Sequence, residues 1–186
     1  MMFFAPPRPP SADEPAALHA RVRAGDRAAL EQTYRREAGP VYRYALALAG
    51  NPAWAADATQ DAFLAYWTRP ETFDPTRGAL GAWLAGIARH ALLARLCEAP
   101  AAADDAADEP GIESPEAVLL ARQDSAALWE AIRALPWPFR EALVLVDLQG
   151  RGYAEAAAIA GIETNTLRTR LFRARRRLAQ ALGDRP

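Results

Sequence analysis

Apolar residues recur at every third or fourth position along most of the chain, which is the spacing of helices that bury one face. Gly, Pro and polar capping residues divide this pattern into segments. In the first half they predict four helices: about 14–24, from the Asp26 cap to Gly50, from the Asn51-Pro52 cap to about Trp67, and about 79–97. The face of the fourth helix that we expect to be buried consists of Leu80, Leu84, Ile87 and Ala91. No alternating pattern typical of a β-strand occurs, so the predicted fold class is all-α.

The second half of the chain follows a break in this pattern. Residues 98–113 are Ala, Asp, Glu and Pro with almost no large side chain, which predicts a flexible linker. Beyond it, helices are expected from 114–116 to about Leu135 and from about Phe139 to Leu148, with Pro136-Trp137-Pro138 as a break between them. The prediction is two small helical domains that fold separately. Its boundaries are a disordered extension at 1–16, a domain at 17–97, an acidic linker at 98–116 and a domain at 117–186.

The stretch from Gly152 to Leu182 predicts a helix-turn-helix. A short Ala-rich helix ends at Gly161, which takes a left-handed turn without steric cost. The second helix starts at Thr164-Asn165-Thr166, whose side chains can cap free backbone N–H groups. Its apolar stripe is Leu167, Leu171, Ala174 and Leu178, and six arginines lie on its other faces: Arg168, Arg170, Arg173, Arg175, Arg176 and Arg177. Such a helix can enter a DNA major groove, although an amphipathic hairpin with a solvated basic face has the same pattern.

The distribution of charge supports the nucleic-acid interpretation more than the total does. The net charge is −1, which excludes a uniformly basic protein. The acids are concentrated between the domains, because residues 98–116 carry seven of them and no base. Six arginines within ten residues of the last helix repel one another unless phosphates neutralise them.

Several classes of function are not expected. One cysteine, Cys97, excludes an internal disulfide and fits a reducing cytoplasm. No apolar run approaches the roughly 20 residues of a membrane helix, so no membrane insertion is expected. His90 and Cys97 are too far apart for an i, i+4 metal pair. We therefore predict neither catalysis nor a metal or other cofactor.

Two sets of motifs match a known family in their order and spacing. In the first domain they are Tyr42 to Leu46, Asp57 to Trp67, Phe73 to Pro75 and Trp83 to Arg89; in the second they are Leu135-Pro136, Arg140 to Leu143, Tyr153 to Glu155 and Thr166 to Arg175. Over about 17–97 and 117–182 the chain resembles the extracytoplasmic-function (ECF) group of bacterial sigma factors.

The resemblance implies a function and a set of partners. Such a protein binds core RNA polymerase, directs it to particular promoters and helps to open the DNA. Region 2 docks on the clamp helices and reads the −10 element as single-stranded DNA. Region 4 sits on the flap of the β subunit and reads the −35 element as duplex. An anti-sigma factor is a further expected partner.

The resemblance also suggests three groups of site residues. The residues expected to bind polymerase are Asp57, Gln60, Asp61 and Leu64. Those expected at −10 DNA are Phe73, Arg77, Trp83, Arg89 and His90. Trp83 could stack on a base or pack in the core, and Arg77 and Arg89 could hold phosphates or form surface ion pairs. Those expected at −35 DNA are Thr164, Asn165, Thr166, Arg168, Thr169, Phe172, Arg173, Arg176 and Arg177.

One departure from the family pattern keeps alternatives open. The family often has Asn, Asp and two basic residues where this chain has His90, Ala94, Cys97 and Glu98, which weakens the expected attraction of phosphates. The alternatives are a degenerate sigma-like adaptor that does not read promoters and a one-component helix-turn-helix regulator.

Overall fold

The computed structural model describes residues 13–98 and 126–183, here called the first and second units, and every regular element in these ranges is helical. The first unit contains α1 (Asp13–Arg23), α2 (Arg27–Ala49), α3 (Pro52–Thr68), a 3-10 turn (Pro70–Thr72) and α4 (Leu80–Glu98). The second unit contains α5 (126–134), α6 (Trp137–Leu143) with a following π-helical turn (Val144–Leu148), α7 (Tyr153–Ala160) and α8 (Thr164–Gly183). The predicted all-α fold is confirmed. The predicted disordered extension at 1–16 is wrong for 13–16, which are helical in α1, and the linker predicted from 98 is wrong for Glu98, the last residue of α4. The rest of both segments, and the predicted start of a helix at 114–116, lie outside the described residues.

The helices of the first unit start and stop at the predicted signals. Asp26 accepts hydrogen bonds from two backbone N–H groups in the first turn of α2, and Asn51 accepts one from the first turn of α3. Gly50 ends α2 with a φ of +68°, a left-handed conformation that favours glycine. A Cβ atom at Gly50 would also lie 3.1 Å from Cδ of Arg133 in α5. Glycine therefore suits both the turn and the close approach of the second unit.

In the first unit α2, α3 and α4 pack on one another. The predicted buried face of α4 is partly wrong. Leu84 is fully buried as expected, but its buried neighbours on the helix are Ala85, Ala88 and Leu92, whereas Leu80, Ile87 and Ala91 are only half-buried. The reason is that α4 contacts α2 and α3 on one side and α7 on another, so the buried face depends on more neighbours than its own sequence reveals.

In the second unit the apolar stripe of α8 is buried as predicted. Leu167, Leu171 and Ala174 are buried and Leu178 is half-buried, and α8 packs on α6 and α7. The turn at Gly161 has the predicted left-handed conformation, with a φ of +65°.

Two details of the second unit correct the prediction. The N–H of Leu167 donates to the carbonyl oxygen of Glu163 at 3.0 Å, so Glu163 takes the capping position of α8 and Thr164 lies in the first turn. Pro136 precedes α6 and Pro138 lies in its first turn, where a missing N–H removes no helical hydrogen bond. The two prolines therefore start a helix close to the end of α5.

The two units are in contact, which the expectation of separately folding domains did not include. Their buried side chains form one continuous hydrophobic core. Helix α7 packs on α4, and α6 with its π-helical turn contacts α2. No helix in the described part of the chain has both the length and the hydropathy required to cross a membrane.

Candidate functional site

The start of α8 presents a polar and basic face to solvent. Burial of the apolar stripe turns the intervening positions outward, and the ring of Phe172 is 67% exposed. Every residue predicted to meet −35 DNA is exposed except the half-buried Thr164: Asn165, Thr166, Arg168, Thr169, Phe172, Arg173, Arg176 and Arg177. The structure therefore brings this predicted group together on one helix.

Neighbouring side chains orient two of these arginines. The guanidinium of Arg168 lies 5.5 Å from the ring centroid of Tyr153, and its Nη1 is 3.4 Å from the side-chain oxygen of Asn165. The guanidinium of Arg177 lies 4.8 Å from the ring centroid of Phe139. Such cation–π contacts limit the positions of long side chains while leaving their charge accessible.

Arg175 differs from the other arginines of α8. Its Nε and Nη2 donate to the two carboxylate oxygens of Asp147 at 3.0 and 2.6 Å. These hydrogen bonds and the negative charge of Asp147 raise the pKa of Arg175. Its charge is therefore balanced within the second unit.

A basic groove runs beside the start of α8. It has a volume of about 520 Å³ and lies between the start of α6 and the first turns of α8. Its lining residues are Pro136, Pro138, Phe139, Asn165, Thr166, Thr169, Arg170 and Arg173. The two arginines make this groove suitable for an anionic group such as a phosphate.

The residues predicted to bind polymerase share one face of α3. Asp57, Gln60, Asp61 and Leu64 are all exposed at helical spacing, and Trp67, which is 59% exposed, continues the same face. Asp57 accepts a hydrogen bond from Nη1 of Arg95 at 2.7 Å. An apolar and aromatic centre beside charged side chains is typical of a surface that binds protein.

The aromatic residues near the loop at 69–78 form a buried cluster. The ring of Phe73 is 6% exposed and lies 5.8 Å from that of Trp83 and 6.4 Å from that of Tyr66, between centroids. Phe73 was predicted to contact DNA, but in this structure it has almost no free surface and supports Trp83 instead. Trp83 is half-buried, and Arg77 is exposed in the loop.

A histidine from α1 completes this cluster. Nδ1 of His19 lies 2.9 Å from the hydroxyl oxygen of Tyr66, and its imidazole meets the ring of Phe73 edge-on at 5.0 Å. Burial, with a smaller effect of Arg23, lowers the pKa of His19, and burial raises the pKa of Tyr66 to about 12. Both are therefore uncharged near neutral pH. No local pattern indicated this pair, because 47 positions separate its members.

Arg89, another predicted −10 residue, is engaged by the second unit. Its Nε donates to Oε1 of Glu141 at 2.5 Å, and the hydroxyl of Tyr44 donates to the same oxygen at 3.2 Å. Glu141 is 1% exposed, and burial raises its pKa although Arg89 acts in the opposite direction. Burial raises the pKa of Tyr44 well above its usual range, and the negative charge of Glu141 adds to this effect.

Sequence reasoning missed the roles of Tyr44 and Glu141. Glu141 stands at helical spacing from the buried Leu145 and next to an apolar run. An acidic residue at a core position was therefore the available signal, but nothing in the sequence identified its partner on α4.

Three of the four changed positions at the end of α4 lie on the surface. His90, Ala94 and Cys97 are exposed, and Nδ1 of His90 lies 2.8 Å from the carbonyl oxygen of Gly86. The departure from the family pattern thus changes the charge of an accessible helix face.

Sequence models of known protein families match both units. A model of Sigma-70 region 2 matches residues 33–99, and a model of Sigma-70 region 4 matches residues 125–178, together more than half of the chain. The chain is 35% identical over 169 residues to the ECF RNA polymerase sigma factor SigM of Mycobacterium tuberculosis, covering 90% of this chain and 84% of SigM. This chain belongs to the ECF family of RNA polymerase sigma factors. Sigma factors direct RNA polymerase to promoters, and the first and second units are region 2 and region 4 of this one.

Two further similarities extend over most of this sigma factor. It is 33% identical over 186 residues to the ECF sigma factor BldN of Streptomyces coelicolor, covering 95% of this chain and 70% of BldN. Its fold is similar to that of the sigma factor RpoE from Bartonella quintana, solved in complex with the anti-sigma factor NepR. The TM-score is 0.70 at 25% identity, covering 83% of this chain and 98% of that one.

Proposed function

We propose that this sigma factor reads a −35 duplex with α8 and a single-stranded −10 element with α4 and the loop at 69–78, while α3 binds core polymerase. The observation that carries the proposal is the exposed face of α8, where the predicted −35 residues lie around a buried apolar stripe. A recognition helix needs one side that packs on its own domain and an opposite side that is exposed and can contact DNA.

At the −35 element, the residues of α8 divide into two classes. Arg168 lies near the start of the helix, where it can pair bidentately with a guanine, and the exposed ring of Phe172 can touch a thymine methyl group. Arg173, Arg176 and Arg177 lie further along the helix and meet phosphates, which position the protein without reading sequence. Arg173 also lines the basic groove, where a phosphate of the same duplex can be held.

At the −10 element, the half-buried Trp83 provides an edge on which an unpaired base can stack, and the exposed Arg77 provides a charge for the adjoining phosphate. Phe73 packs against Trp83, and His19 packs against Phe73 in turn. On α3, Asp61 suits a protein partner because phosphates repel a carboxylate.

An anti-sigma factor is a further proposed partner, and the proposed location is the cytoplasm, where polymerase acts. The related RpoE was solved with its anti-sigma factor NepR. Trp67 and Leu64 provide an exposed apolar patch that suits such a partner. Trp137, in contrast, is half-buried and packs against the core. Purification of the tagged chain from its own cells under several growth conditions tests this partner, and recovery of polymerase subunits alone would count against it.

Transcription in vitro with core polymerase tests the main proposal. The chain is expected to give initiation at specific promoters, and Asp61→Arg is expected to weaken core binding about tenfold, equivalent to about 1.4 kcal/mol. Glu31→Arg, which reverses the charge of an exposed acid on α2, is the matched control. Equal core affinity of Asp61→Arg and the control would refute the assignment of α3.

The alternative with an observation in its favour is an adaptor that binds polymerase without reading promoters. Arg89 is held by Glu141, and the end of α4 lacks the usual basic side chains. Binding to core polymerase without initiation at any promoter would favour the adaptor. Specific binding to duplex DNA without core polymerase would favour a one-component regulator.

A further inference from the structure

Two exposed arginines of α8 lie against aromatic rings of other helices. The guanidinium carbon of Arg168 is 5.5 Å from the ring centroid of Tyr153, at the start of α7, and that of Arg177 is 4.8 Å from the ring centroid of Phe139 on α6. Arg176 makes no hydrogen bond, ion pair or cation–π contact with any residue that the structure describes. The ring contacts therefore distinguish two arginines from an unsupported neighbour on the same helix.

Arg168 is held from two sides while most of its donors remain free. Its Nη1 donates to the side-chain oxygen of Asn165, one turn earlier on α8, at 3.4 Å. A guanidinium carries several N–H donors in a planar fork, and the others of Arg168 have no partner among the described residues. The face of the guanidinium meets the ring of Tyr153. The fork therefore keeps donors for the O6 and N7 atoms of a guanine.

Tyr153 is itself placed by an ion pair of the second unit. Its side chain is 40% exposed and stands in the first turn of α7. After the larger effects of Asp147, Tyr153 also raises the pKa of Arg175, so its hydroxyl lies near that guanidinium. Arg175 in turn donates two hydrogen bonds to Asp147. The ion pair therefore limits the positions of Tyr153, and Tyr153 limits those of Arg168.

We propose that Tyr153 is a positioning residue for −35 recognition, which holds the guanidinium of Arg168 in place before DNA binds and so increases its preference for one base. This inference rests on the proposed role of Arg168 at a guanine. A free arginine side chain can turn to a neighbouring phosphate, which carries no sequence information. A guanidinium that is already placed loses less conformational freedom on binding, and it pairs only with a base that fits its fork.

Replacement of the ring tests this role with matched variants. Tyr153→Leu keeps an apolar side chain but removes the aromatic face, whereas Tyr153→Phe keeps the face and removes only the hydroxyl. Phe139→Leu is the matched control, because it removes the ring beside Arg177, which is proposed to meet a phosphate. Circular dichroism checks folding. If Tyr153→Leu loses helical content, Tyr153→Met takes its place with the same expectations.

The first measurement is the motion of the arginine side chains in the free, full-length chain. Nitrogen relaxation of their Nε–Hε groups by NMR reports motion on the picosecond-to-nanosecond scale, and Arg168→Ala identifies the signal of Arg168. Tyr153→Leu is expected to mobilise Arg168 and not Arg177, Phe139→Leu to do the opposite, and Tyr153→Phe to match wild type. Unchanged motion of Arg168 in Tyr153→Leu would overturn the positioning role, whatever α8 binds.

The second measurement is base preference, obtained by sequencing the duplexes that the complex with core polymerase selects from a randomised, promoter-length pool. Arg168→Ala sets the full effect at one position of the −35 element. Tyr153→Leu is expected to reduce the preference at that position alone by about two- to fivefold, the range of an exposed cation–π contact, and Tyr153→Phe to retain it. Phe139→Leu is expected to weaken binding to all sequences without changing any preference.

The double variant Tyr153→Leu with Arg168→Ala separates positioning from direct contact. It is expected to have the same preference as Arg168→Ala alone, because the ring acts only through that arginine. A further loss in the double variant, or a relaxed preference with Arg168→Ala and not with Tyr153→Leu, would overturn the specificity role and leave −35 reading by α8 intact. If Arg168→Ala relaxes no position, the proposed orientation of α8 fails and the base assignment with it, while the side-chain motions still decide the contact between Tyr153 and Arg168.

Discussion

The second unit presents its proposed DNA-binding residues freely, whereas the first unit holds several of its own in internal contacts. On α8, the exposed residues from Asn165 to Arg177 surround one buried stripe. In the first unit, Phe73 is buried, Trp83 is half-buried and Arg89 is paired with Glu141. One proposed recognition face is therefore formed by a single helix, and the other depends on how several helices and the second unit pack.

The cores of the two units reflect the same difference. The second unit brings its helices together with small and aliphatic residues such as Ala156, Ala157 and Leu167, which leaves the outer side of α8 free. The first unit builds part of its core from rings, including Tyr66, Phe73 and the imidazole of His19. An aromatic core next to the proposed −10 binding face limits how much ring surface remains for a ligand. Substitutions in each unit test this difference.

Truncation of one core leucine in either unit should destabilise the whole protein. Leu84→Ala and Leu167→Ala each remove a fully buried side chain and should cost about 2–5 kcal/mol. Because the core is continuous across the units, both variants should shift one common unfolding transition. Urea denaturation followed by circular dichroism and tryptophan fluorescence measures this. Leu64→Ala, at an exposed position, is the control and should change stability by no more than about 0.5 kcal/mol.

Two separate transitions, each shifted by only one of the variants, would contradict this prediction. That outcome would support the separately folding domains expected from the sequence. The difference between the units would then be a difference between two independent structures.

Two arginines of α8 should respond differently to replacement. Arg168→Ala should cost about 1–3 kcal/mol on the preferred −35 sequence and relax the preference at one base position. Arg176→Ala should weaken binding to every sequence and reduce the salt slope by about one. Binding of the polymerase complex to variant −35 sequences at several salt concentrations compares the two. An equal loss on all sequences for Arg168→Ala would show that the orientation of α8 on DNA differs from the one proposed.

Replacement of Trp83 in the first unit should have a smaller effect on DNA binding. Trp83→Leu should cost about 1 kcal/mol in binding to a single-stranded −10 element, at the lower end for base stacking because Trp83 is already half-buried. Binding to the −35 duplex should not change. Fluorescence anisotropy with single-stranded and duplex probes in the polymerase complex measures both, and Trp129→Leu in α5 is the control. Equal losses on both probes would point to a general defect and remove Trp83 from the site.

The smallest effect is expected at the ion pair between Arg95 and Asp57. Both side chains are partly exposed, so Arg95→Gln should change the free energy of unfolding by less than about 1 kcal/mol. Since it frees a carboxylate on the α3 face, the affinity for core polymerase should stay the same or rise. Arg35→Gln, which breaks the exposed pair with Glu31, is the matched control. A clear fall in core affinity with Arg95→Gln alone would mean that Arg95 itself contacts polymerase.

The sequence alone determined the features that depend on one helix and its ends. The cap at Asp26, the left-handed turn at Gly161 and the buried stripe of α8 follow from local rules, because capping groups, backbone conformation and helical period act over a few residues. The exposed face of α8 then follows from the position of that stripe. The two sets of motifs were also sufficient to indicate the sigma family, since their order and spacing are properties of the chain itself.

Tertiary structure alone decided which polar groups meet across the chain. Glu141 lies 52 positions from Arg89 and 97 from Tyr44, and no spacing rule links them. The burial of Phe73 likewise depends on His19, from a helix that no local pattern connects to the loop. Such contacts arise because a buried charge or polar group must find a partner among whichever helices pack beside it. The closed arrangement of the two units is fixed by those partners and by the shared core, which only the folded chain brings together.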